Sequence, residues 1–277
     1  MTLIPAPGGT MADSITSIVV PLDESSLSET ALPVADELAT ALGASILCMT
    51  AGWGSTTEEL AEYLTAKAAT LRAPHSTAVT PDTFPATAIA EAAGEDSLVV
   101  MATHGRSGVG KALLGSVAED LLKRSDRPVV LVGPRGHSGP SLAGGVLGMT
   151  TDGSPVSAMI LPCVTHLASS LGLTVRVLSV HAAGGSPQGG AEREVVDRAM
   201  ESAVAFLTAE GVPATAEALM GADAAEVVAR WAADNDAALL AMSTHGRSGL
   251  ARTALGSVTV KTVHDAPCPV LVQRSAG

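Results

Sequence analysis

Aromatic residues make up only 2% of this chain, so its core has to be built from Ala, Val and Leu rather than from large rings. Cysteine is scarce as well. Cys48, Cys163 and Cys268 stand far apart, none forms a Cys-x-x-Cys pair, and no His/Cys cluster has metal-ligand spacing. That excludes a disulfide scaffold and a zinc module, and predicts three reduced, mostly buried thiols. Long apolar runs are missing too: SIVVPL and SLVVMA fall far short of the roughly 18 residues that would mark a membrane span, so no membrane partner is expected. The opening MTLIPAPGGTMADS has neither a basic region nor a sustained apolar stretch. It reads as a loose tail over residues 1–13 and not as a signal peptide, which makes the chain cytoplasmic by expectation. Positive charge is in deficit, with 16 Lys and Arg against 28 Asp and Glu and a net charge of −12. This disfavours nucleic acid as a partner but leaves room for a small anion held by local backbone donors. Apolar residues reach 47% and charged ones only 16%, enough for a packed core in 277 residues.

The chain states one pattern twice. THGRSG at Thr103–Gly108 recurs letter for letter at Thr244–Gly249, and extending both copies to Val117 and Val258 leaves 10 of 15 positions identical. Upstream, SIVVPLDESSLS matches GVLGMTTDGSPVS and aligns Asp23 with Asp152; Pro33 and Pro162 follow at equal distance, each after a Leu. Downstream, RPVVLVG matches CPVLVQR. This is a tandem duplication. The aspartates are 129 positions apart and Gly105 and Gly246 are 141 apart, so the second copy has 12 extra residues in its middle. They fall in a longer helical stretch, AEREVVDRAMESAVAFLTAEG. The reading is a first domain over 14–133, a Gly/Pro/Ser-rich linker over 134–144 and a second domain over 145–277.

Each copy alternates strand and helix. Continuous apolar runs such as SIVVPL suit strands covered on both faces. The first helical stretch sets Ala31, Val34, Ala35, Leu38 and Leu42 on one face, with a Ser26/Glu29 capping box before it and Gly43 after it. The expected fold class is α/β: two tandem doubly wound, five-stranded parallel sheets with helices on both faces and right-handed crossovers. Ligands of such sheets bind at the carboxyl ends of the strands, and THGRSG follows directly on SLVVMA and on ALLAMS. The last strands, PVVLV and PVLVQ, are apolar edges that need cover. Pairing them with each other predicts an intramolecular pseudo-dimer, with a homodimer of whole chains left open.

HGRSGVGKALLGS nearly spells a P-loop, but Ala112 stands where a Ser or Thr should hold magnesium, and the second copy has Ala251 and Arg252 in place of the glycine and lysine. What both copies keep is Gly105 or Gly246, nine residues, then Gly115-Ser116 or Gly256-Ser257 opening a helix. Glycines permit close backbone approach and positive φ, and a helix N-terminus suits phosphate. On these residues the chain resembles a tandem universal stress protein over nearly its full length. That family is marked by Gly, two residues, Gly, nine residues, Gly, then Ser or Thr, and binds ATP at this loop.

The resemblance implies an adenine-nucleotide alpha-hydrolase-like fold paired through its last strands, with ATP, accompanied by magnesium, as cofactor. Asp23 and Asp152 would face the adenosine, with Pro21 (Thr150 in the second copy) two residues before. Thr50 and Val180 would meet adenine through their backbone, and Met101 and Met242 would border the base. Gly105, Gly115, Ser116 and Val117, with Gly246, Gly256, Ser257 and Val258, would hold phosphates, and Arg106 and Arg247 stand at the loop's start. The motif's first glycine is Ala102 in one copy and Ser243 in the other; a φ above zero there would be strained.

Plainer readings stand beside these. Ser116 reads equally as the cap of a box with Glu119. Asp23 and Asp152 also read as turn residues, His104 and His245 as solvated loop residues, Lys111 and Arg252 as surface cations, and Trp53 and Trp231 as packing. No general base, nucleophile or carboxylate pair stands in a catalytic arrangement, so the chain reads as a non-enzyme with at most slow, incidental ATPase activity. An NAD oxidoreductase is excluded, because no GxGxxG turn follows the first strand. Two functions remain: a nucleotide-dependent stress-response regulator, or a nucleotide-free interaction module of the same fold.

Overall fold

A computed structural model describes residues 15–52, 55–105, 114–125, 127–136, 141–182, 189–244 and 256–274. The first half runs β1 (Ser17–Pro21), α1 (Ala31–Leu42), β2 (Ser45–Gly52), α2 (Thr57–Ala68), β3 (His75–Pro81), α3 (Pro85–Ala92), β4 (Ser97–Ala102), α4 (Ser116–Arg124) and β5 (Val129–Val132). The second half repeats it as β6 (Val146–Thr150), α5 (Leu161–Leu171), β7 (Thr174–His181), α6 (Gly189–Ala209), β8 (Ala214–Met220), α7 (Ala224–Asp234), β9 (Ala237–Ser243), α8 (Ser257–Asp265) and β10 (Val270–Gln273). The extra residues of the second copy lengthen α6 to 21 residues against 12 in α2.

The strands form one ten-stranded sheet in the order β3-β2-β1-β4-β5-β10-β9-β6-β7-β8. Every neighbouring pair within a half is parallel, while β5 and β10 pair antiparallel, with Val130 opposite Leu271. Val129 lies opposite Val272 and Leu131 opposite Val270, so equivalent residues meet about a pseudo-two-fold axis. The apolar edges therefore cover each other, because an unpaired run of four buried apolar residues would otherwise face water. Strand side chains alternate between two cores. One lies beneath α1, α2, α5 and α6 and includes Ile18, Val20, Leu38, Leu64 and Leu171; the other lies beneath α3, α4, α7 and α8 and includes Val19, Ile89, Leu121, Trp231 and Val263.

The Ser26/Glu29 capping box does not form. A 3-10 turn over Ser28–Thr30 leads into α1, without a side-chain cap on Leu27 before it. Glu29 is drawn instead to Tyr63 Oη at 3.1 Å and Lys67 Nζ at 2.7 Å, partners on α2 that local sequence cannot show. Among the described residues, no helix is long and apolar enough to cross a membrane.

Candidate functional site

In the first half the carboxyl ends of β1, β2 and β4 and the amino end of α4 surround a cavity of about 330 Å³. This is the switch point of the half, where β1 pairs with β2 on one side and β4 on the other. Asp23 closes a turn just beyond β1. Its Oδ1 accepts from Ser25 N at 3.1 Å and Ser25 Oγ at 2.6 Å, while its own N donates to Ser28 Oγ at 3.2 Å. The other oxygen, Oδ2, points at Gly105, where a Cβ would collide with it. The turn reading of Asp23 is thus correct, and the same carboxylate also borders the cavity.

The far wall is the start of α4. Gly115 is the N-cap and its N donates to Thr103 O at 2.8 Å, which ties the loop's two ends together. A Cβ on Gly115 would come within 2.5 Å of that carbonyl. These glycines are therefore needed for close approach and not for positive φ, since Gly115 and Gly256 sit at φ −71 and −58. Ser116 is the first helical residue and caps nothing. Glu119, expected as its box partner, pairs with Lys123 at 2.6 Å. With no side-chain cap, the first-turn amides of α4 open toward the cavity and the positive end of the helix dipole faces it.

The cavity gathers Pro21, Asp23, Thr50, Met101, Ala102, Gly105, Gly115, Ser116 and Val117 of the residues expected from sequence. It also draws in Leu60 from α2 and Pro85 and Ile89 from α3, helices that sequence reading assigned no role at the site. Their apolar periodicity marks a buried face but not which end of it meets a ligand. His104, expected in solvent, is 6% exposed, with Nδ1 2.9 Å from Thr103 Oγ1; the loop folds it inward onto the seam between the halves. Ala102 ends β4 as ordinary strand. The described non-glycine residues with positive φ are Glu24, Asp82 and Asp236, so alanine at the motif's first position carries no backbone strain.

The second half repeats the frame. Asp152 Oδ1 accepts from Ser154 N at 2.9 Å and Ser154 Oγ at 2.6 Å, and Gly256 N donates to Thr244 O at 3.1 Å. The residue after each aspartate has positive φ, 65° at Glu24 and 79° at Gly153. Met242 is buried at the end of β9, next to Ser243, while Ser257 and Val258 open α8. One pairing needs correction. Pro21 lies opposite Met49 and its counterpart Thr150 opposite Leu178, so Thr50 corresponds to Ser179, and Val180 corresponds to Ala51. The apolar endings CMTAG and LSVHA allow a one-residue slip that only strand register resolves. Trp231 packs in the core and its Nε1 donates to Glu217 Oε2 at 3.0 Å. Trp53, Arg106, Lys111, His245, Gly246, Arg247 and Arg252 lie outside the described residues.

Comparison with known proteins bears on this frame. The universal stress protein family matches residues 14–133 and again 147–274. The chain belongs to the universal stress protein family. Universal stress proteins of Mycobacterium tuberculosis and Mycobacterium bovis are each 28% identical over 214 residues. The match takes in 69% of this chain and 66% of each relative, just under two thirds of their length. A functionally unknown protein from Pseudomonas aeruginosa PAO1 has a crystal structure similar over 95% of this chain and 94% of its own, with 20% identity and a TM-score of 0.69. A universal stress protein from Archaeoglobus fulgidus is similar over 94% and 98%, with 18% identity and a TM-score of 0.66. Both extend the fold likeness across the two halves of this universal stress protein.

Proposed function

We propose that this universal stress protein binds ATP in the cavity after β4, and at the matching position after β9, and acts in the cytoplasm as a nucleotide-dependent regulator of a stress response. The observation that carries the reading is the opposition of Asp23 and the uncapped start of α4 across one cavity. A carboxylate on one wall accepts hydrogen bonds from a ribose, and free amides on the other donate to phosphate. The volume of about 330 Å³ is at the small end of small-molecule sites, and its walls of Met49, Leu60, Ile89 and Met101 suit the face of a base. Magnesium would arrive on the phosphates. The site supplies binding and orientation, so the expected output is a change of occupancy and not turnover.

Equilibrium titration of ATP into the wild type and Gly115→Val tests the reading. Gly115→Val fills the space against Thr103 O and displaces the start of α4, so the first site should lose its binding heat. Equal isotherms for the two proteins would put ATP elsewhere. No binding heat at millimolar ATP in the wild type would leave the nucleotide-free interaction module as the reading.

A further inference from the structure

The antiparallel seam brings a side chain of the second half up behind the first half's site. Beyond β5, Gly133 lies so close to the carbonyl of Val263 on α8 that a Cβ there would collide with it. In the last turn of α8, the His264 ring meets the His104 ring edge to face, with centroids 6.4 Å apart. His104 lines the cavity, and its Nδ1 lies 2.9 Å from Thr103 Oγ1. His264 Nδ1 is buried without a hydrogen-bond partner. A buried, unpartnered ring nitrogen costs free energy that an apolar ring in the same place would not. The pseudo-two-fold cannot repeat this ring contact from the first half, which has no ring at the equivalent position. The position equivalent to His264 there is Lys123, whose Nζ turns back to Glu119 at 2.6 Å. Arg274 Nη1 reaches across the seam to the Lys123 carbonyl, so the last turn of α4 is also held from the second half.

We propose that His264 is a positioning residue for the first half's site. Its ring, carried across the seam, fixes the ring of His104 and with it the Thr103–Gly105 backbone that faces Asp23 and receives Gly115. The site in the first half is complete only when the second half is docked against it. What the site holds rests on the nucleotide reading given above; the brace itself does not.

The brace is tested first without ligand, by hydrogen exchange on the whole chain of the wild type and His264→Ala. Amides of Thr103–Gly105 should exchange about tenfold faster in the variant while those of β5 and β10 keep their protection. If His264→Ala loses protection everywhere, the same comparison is made with His264→Gln, which keeps a polar side chain of similar reach. ATP titration then reads the consequence. The part of the binding that Gly105→Val abolishes should weaken about tenfold in His264→Ala, and His104→Ala/His264→Ala should be no weaker than His104→Ala alone. If the wild type takes up no ATP, the nucleotide reading falls and the exchange comparison alone decides the brace. Equal exchange of Thr103–Gly105 in wild type and variant, or losses of affinity that simply add in the double variant, would overturn it.

Discussion

Asp36 shows how a single charge is held. Its side chain is buried, and burial alone would push its carboxyl up. The amide of Ala73 and the guanidinium and amide of Arg72 outweigh that and hold it below the ordinary 3.8. The contacts are 2.8 Å to Arg72 N, 2.7 Å to Arg72 Nε and 3.0 Å to Ala73 N. A lowered carboxyl contributes stability that is present above its unfolded value and is lost as pH falls through the folded one. Asp36→Ala should therefore cost about 2 kcal/mol near neutral pH, and the gap from wild type should close below pH 3.8, as urea melts at several pH values would record. The thiols are equally specific. Burial pushes Cys48 up to about 11 and Cys163 and Cys268 up to about 12, so none should react with an alkylating agent until the chain unfolds. Their burial was readable from spacing and composition. The role of Gly148 was not: a Cβ there would meet Trp231 at 2.5 Å, a contact between β6 and α7 that no local pattern reveals. Gly148→Val should cost about 1–3 kcal/mol in a denaturant melt, by overpacking.

Among the elements, the strand and helix order was legible throughout, because apolar runs and 3.6-residue periodicity are both local signals. Helix starts were less so. Neither proposed capping box forms, because neither serine takes the N-cap position: Leu27 precedes the 3-10 turn and Gly115 precedes α4, and Glu29 and Glu119 pair with lysines instead. Thr56/Glu59, by contrast, does form a box at α2, with Glu59 Oε2 3.0 Å from Thr56 N. At the site, the spacing of the second and third motif glycines was readable, whereas the reason for the third, loop closure onto Thr103 and Thr244, needed the fold. Gly256→Ala tests that reason, since its Cβ would strike Thr244 O. It should lower the melting temperature although φ there is −58, and an unchanged melt would mean that the loop closes some other way.

For the whole molecule, duplication predicted the seam. Two copies with apolar last strands have a self-complementary edge, and β5 and β10 meet about the axis that such an edge requires. Residues 14–136 produced alone should therefore pair through β5 as a homodimer, seen as a doubled mass in light scattering, whereas a folded monomer would show that the edge does not direct pairing. The duplication already marks one inequality between its copies, the longer α6; what it could not reveal is that His264, standing where the first half has Lys123, meets His104 across the seam. Nucleotide occupancy is the property that decides the function. Freshly purified protein, denatured and analysed by chromatography and mass spectrometry with ATP calorimetry on the same sample, should yield one to two adenine nucleotides per chain or bind that number. No released nucleotide together with no binding heat at millimolar ATP would contradict it, leaving a fold that keeps the shape of the loop without its ligand.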